Sequence, residues 1–143
     1  MKKIQRYLHS IYCDDFRLEI NNKISLMGLY SSEFVAYGTA PVIIPKLCVI
    51  TMLQTPVEDP VEKLRLLIKL DDAVIAEIDI PPQVEVRQDD TAEYNCYKSA
   101  TVLSPLIIER DSTLKVLAVT EREELRAAGL KIKILQAPAV PST

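Results

Sequence analysis

The dominant pattern along the chain is alternation with a period of two. In Phe16-Arg17-Leu18-Glu19-Ile20 apolar and charged residues alternate strictly, as they do on a strand with one buried face. Asn21-Asn22-Lys23 interrupts the run, and residues 24–30 resume it. Asparagine tolerates the positive φ of tight turns, so the pair of runs predicts a β-hairpin. A second hairpin follows the same logic. Leu64, Leu66, Ile68 and Leu70 share one face, Asp71-Asp72 breaks the run, and Val74, Ala76, Ile78 and Ile80 share the inward face beyond it.

Further strands are expected over residues 6–13, 47–53, 97–103, 106–109, 114–120 and 130–135. The run 47–53 (LCVITML) is apolar on both faces, which predicts a central strand covered on both sides. Residues 130–134 keep Lys131 and Lys133 on one face and so suit a half-solvated position. Prolines at 41, 45, 56, 60, 81, 82 and 105 mostly fall between runs, where a missing N–H costs no ladder bond. Pro105 predicts a bend or a change of sheet. Gly28, inside a strand, predicts a bulge.

One segment resists the strand reading. Thr120-Glu121-Arg122-Glu123 has the form of a capping box, and Leu125, Ala127, Ala128 and Gly129 would complete a short helix over 121–128. The alternative is a hairpin loop. Eight or nine short strands with at most this one helix predict an all-β, single-domain antiparallel β-sandwich over residues 1–136. Residues 137–143, with two prolines and no charge, are expected to be a flexible tail.

Length and composition fit that picture. A chain of 143 residues is one ordinary domain, and 48% hydrophobic with 26% charged residues is a globular mixture. Seventeen basic against 20 acidic residues give a net charge of −3, and the only basic cluster is Lys2-Lys3 with Arg6. This argues against nucleic acid as a partner. His9, Ser10, Asp14 and Asp15 interrupt the apolar stretch a signal peptide would need, and no run has the length of a membrane span. Cys13, Cys48 and Cys96 are odd in number and widely spaced, which suits free thiols in a reducing cytoplasm.

The same counts thin out catalysis. Three scattered glycines build no phosphate cradle, and His9 is the only imidazole. In a strand Ser10 points away from His9, although His9 could work with Cys13 or another cysteine as a thiol-activating pair. No cofactor and no metal ligand set is expected. The pairs Asp14-Asp15, Glu58-Asp59, Asp71-Asp72 and Asp89-Asp90 stand in predicted turns, where carboxylates could gather calcium but where Asp is also a common turn former. Glu77 and Asp79, two apart on an outer face, fit a solvated surface with basic partners across the sheet. Six aromatics crowd the first 37 residues. Among them Tyr30, Phe34 and Tyr37, in the polar string YSSEFVAY, are the candidate interface residues.

The string Cys13-Asp14-Asp15-Phe16-Arg17-Leu18-Glu19, followed by 22–30 (NKISLMGLY) and Pro45-Lys46-Leu47-Cys48, resembles a family of short bacterial and prophage-encoded β-rich proteins of unknown function. The resemblance implies a small β-rich protein with a phage connection and supplies no activity. Asp14, Asp15 and Arg17 would form a local ion pair and turn. The resulting expectation is a non-enzymatic sandwich acting through contacts with a protein partner or with itself. The alternatives are a small-ligand or calcium-binding sandwich built on the acidic loops, and a small metal-independent hydrolase.

Overall fold

The alternating runs fold as strands, and the odd-looking interruptions between them are turns. In the computed structural model, which describes residues 5–81 and 93–136, the strands are β1 (Tyr7–Leu18), β2 (Ile24–Tyr30), β3 (Glu33–Tyr37), β4 (Val42–Ile44), β5 (Leu47–Pro56), β6 (Leu64–Leu70), β7 (Ala73–Ile80), β8 (Tyr94–Leu103), β9 (Leu106–Ile108), β10 (Ser112–Thr120), β11 (Glu124–Arg126) and β12 (Leu130–Leu135). The 137–143 tail, Asp89-Asp90 and Lys2-Lys3 lie outside the described residues.

Two sheets stack on each other. The first runs β2-β1-β5-β8 and the second β3-β12-β10-β6-β7, with β11 also paired to β10. A two-stranded ribbon, β4-β9, accompanies them. The β3-β12 pair is parallel, and every other pair is antiparallel. Leu8, Tyr12, Leu47, Val49 and Leu53 of the first sheet meet Leu66, Ile68, Leu114, Val116, Leu130 and Ile132 of the second in one buried cluster. Each such aliphatic side chain contributes about 1.5–3 kcal/mol on burial, so this seam holds the sheets together.

The outer faces differ in chemistry. On the second sheet Arg65 bridges Glu77 at 2.7 Å and Asp79 at 2.8 Å, so the two carboxylates take an arginine across the sheet. Lys131 and Lys133 of β12, on the far side of β10, are exposed as well, and Lys133 pairs with Glu33 at 3.4 Å. The first sheet instead turns Ile11, Cys13, Cys48 and Ile50 outward. These positions are opposite one another in register, Ile11 with Ile50 and Cys13 with Cys48.

The β1–β2 hairpin covers that apolar face. Beyond Asp14 and Gly28, Phe16 lies opposite Leu26, and both side chains pack on Cys13, Cys48 and Ile50. The hairpin tip then shares a cavity with Cys96 and Lys98 of β8. Cys96 is opposite Gln54, six residues along β5 from Cys48. Six residues of strand span about 20 Å, so a hairpin extended straight past Cys13 would move away from Cys96. It is folded back over the sheet. This second cover is why the run 47–53 is apolar on both faces.

Residues 121–128 form no helix. Thr120 Oγ1 does accept the Glu123 N–H at 3.1 Å, half of a capping box, but the Thr120 N–H donates to Glu123 O at 2.9 Å and closes a hairpin turn. Glu123 turns its carboxylate to Arg6, 3.3 Å away, rather than back to Thr120. Among the described residues the strands number twelve against the eight or nine expected, with β3, β4 and β11 the additions. Gly28 marks no bulge. Pairs Cys13–Leu29 and Asp15–Met27 flank it in unbroken register, and the glycine is needed for its φ of +70° instead. Pro105 behaves as expected: β8 ends at Leu103, and β9 leaves to pair with β4.

Candidate functional site

The arm formed by β1 and β2 exposes several large apolar residues. At its tip Asn21 and Asn22 adopt positive φ (64° and 58°), the conformation that asparagine accepts more readily than other L-residues. That turn leaves Leu18 and Ile20 72% and 80% exposed, and Leu29 on the returning strand 62% exposed. Met27 is exposed as well. By the register of the hairpin Leu18 shares a face with Phe16 and Leu26, and Met27 and Leu29 lie on the opposite face. The rim is mixed in charge. Arg17 pairs with Glu19 at 2.9 Å, and the Ser25 hydroxyl donates to the same carboxylate at 3.0 Å. The expected Asp14–Asp15–Arg17 grouping therefore does not form.

The base of the arm is fastened by polar contacts. Tyr30 donates its hydroxyl to Asp14, and Lys46 reaches Asp15 at 2.6 Å. Burial, and then the hydrogen bond to Asp14, push the Tyr30 phenol up to about 12. The Lys46 hydrogen bond holds the Asp15 carboxyl below its ordinary value. The Cys48 thiol lies 3.6 Å from the Asp14 carbonyl oxygen and donates to it. Under the arm, between its tip and β8, is an open cavity of about 780 Å³ lined by Leu18, Lys23, Ile24, Ile80, Tyr97 and Lys98 among others.

The three aromatic candidates are separated by the fold. Tyr30 and Phe34 meet as tilted rings with centroids 4.7 Å apart and pack against the main core. Tyr37 is 60% exposed near the end of β3, an edge strand of the second sheet. Leu18, Ile20, Met27 and Leu29 were not singled out in the sequence. The strict alternation of 16–20 puts Leu18 and Ile20 on the buried side of a strand, whereas both are exposed at the arm's tip.

The chemical candidates are dispersed. His9 stacks on Tyr7 at 6.2 Å on the outer face of β1. Cys13 is four residues further along the same strand, about 13 Å away at strand spacing, so His9 cannot activate it. Burial, with the neighbouring Cys48 and Asp14 charges, pushes the Cys13 thiol up rather than down. Ser10 points into the core. The acidic pairs are engaged separately. Asp14 and Asp15 hold the arm, Asp59 takes Arg6 and Arg122, and Asp71 accepts the Thr113 N–H at 2.9 Å. Among the described residues, no three His, Cys, Asp or Glu side chains converge as a metal site.

Among them, too, no helix is long and apolar enough to cross a membrane. No family model matches the sequence, and no curated protein matches it either.

Proposed function

We propose that this protein is a non-enzymatic protein-contact module whose working surface is the β1–β2 arm, with a second copy of the chain as its first occupant. The observation that carries the reading is the exposure of Leu18, Ile20, Met27 and Leu29 on one projecting hairpin, against the salt-bridged outer face of the opposite sheet. Among the described residues β2 has no strand on its outer side, so its backbone is open to pairing with another chain. A two-fold contact through this edge brings β2 of one copy against β2 of the other. The mixed rim of Arg17, Lys23 and Glu19 avoids facing one sign of charge with the same sign.

The residues that carry the resemblance fall on this element. Cys13, Asp14 and Asp15 form the base of the arm, 16–30 form the arm, and Pro45-Lys46-Leu47-Cys48 supplies its fastening. A bacterial, phage-linked cytoplasmic setting belongs to the same proposal, as does a role for exposed Tyr37 in a wider contact. Sedimentation equilibrium of the full chain and of the Leu18→Asp/Ile20→Asp variant tests it. Association of the parent that the variant loses supports the reading. A parent that stays monomeric at high concentration opposes it.

A further inference from the structure

Cys13 and Cys48 are direct Cα partners on adjacent antiparallel strands, and both are fully buried. Their side chains leave the same face of the sheet. Opposed residues in such a ladder have Cα atoms about 4.5 or 5.5 Å apart, depending on the pair type. Both values fall within the roughly 4.4–6.8 Å that a disulfide spans. Burial disfavours both thiolates, and Phe16 and Leu26 roof the pair. The sulfurs are thus placed for bonding but shielded from reagents.

We propose that Cys13 and Cys48 are an oxidation site, a dithiol that closes to a cross-strand disulfide by exchange with a small disulfide such as oxidised glutathione when the β1–β2 arm lifts. One cysteine loses its proton to solvent and attacks a sulfur of oxidised glutathione, expelling one glutathione thiolate, which takes up a proton. The second cysteine then attacks the protein sulfur of the mixed disulfide and expels the other glutathione. Two protein thiols are oxidised, one glutathione disulfide is reduced to two glutathione thiols, and protons balance. The arm acts as the gate, because the thiolates form and meet the reagent only when it is raised.

The test uses the folded Cys96→Ser chain, incubated with oxidised glutathione, quenched in acid, denatured, alkylated with N-ethylmaleimide and weighed intact. The expected product carries no maleimide and no glutathione and is two hydrogens lighter than the reduced chain. Reduction before alkylation restores two maleimide additions. Phe16→Ala, which thins the roof, speeds the loss of thiols several-fold. Two maleimides after long incubation, or a stable glutathione adduct, would overturn the site. An unchanged rate in Phe16→Ala would overturn the gate. If Cys96→Ser does not fold, non-reducing peptide mapping of the parent decides: a linked Cys13–Cys48 peptide supports the proposal, and linkages only through Cys96 contradict it.

Discussion

Asp14 lies across from Gly28 so closely that a Cβ on the glycine would run into its carboxylate. The glycine also sits at φ +70°, where a side chain is strained whatever the space. Together the two residues set the place where the arm leaves the plane of the sheet.

Gly28→Ala is therefore expected to destabilise the fold by about 1–3 kcal/mol, read as a fall in the urea midpoint. Asp14→Ala in the same chain should recover the collision part of that loss and leave the φ strain. Equal midpoints for parent and Gly28→Ala would contradict this account of the bend.

Arg6 ties three segments together. Its side chain is only 2% exposed and lies 2.6 Å from Glu121 and 3.3 Å from Asp59 and Glu123. It also donates to Pro60 O at 2.7 Å. Replacing it with Met should cost about 2–4 kcal/mol, because three carboxylates lose their shared cation. Thermal melting at neutral pH checks the value.

The same cluster predicts a pH dependence. Burial raises the Glu121 carboxyl, but hydrogen bonds from Arg6 and from the backbone N–H groups of Glu121 and Glu62, with the Arg6 charge, outweigh it and draw the group down to about 2. The unfolded chain binds this proton near the ordinary value of about 4.3. The stabilisation, about 1–3 kcal/mol after allowance for solvent screening, is full above that value and is lost as pH falls towards 2. Denaturation midpoints between pH 5 and 2 should fall less steeply in Glu121→Gln than in the parent.

Tyr12 illustrates a smaller, local fastening. Its hydroxyl donates to Ala128 O at 2.7 Å, tying β1 to the link between β11 and β12. Tyr12→Phe keeps the buried ring and removes that bond, for an expected loss of about 1 kcal/mol in a chemical denaturation curve.

Much of the architecture was legible in the alternation. The hairpins at 16–30 and 64–80 and the central strand β5 follow from period and turn residues. Three strands were not. Glu33-Phe34-Val35-Ala36-Tyr37 does not alternate, because β3 borrows its partner from β12 at the far end of the chain. Val42-Ile43-Ile44 is short and held between Pro41 and Pro45. Residues 124–126 stand behind a turn that shares the first half of a helix cap. The exposed apolar residues of the arm were hidden for a different reason. Alternation marks Leu18 as buried, but at the arm's tip its face meets an open cavity instead of a packed strand.

The arm as a self-contact surface is tested most directly by amide hydrogen exchange of the full chain at low and high concentration. Added protection at high concentration is expected over residues 17–30, on the β2 side of the first sheet. No concentration-dependent protection, or protection confined to β3 or to the charged β6–β7 face, would contradict it.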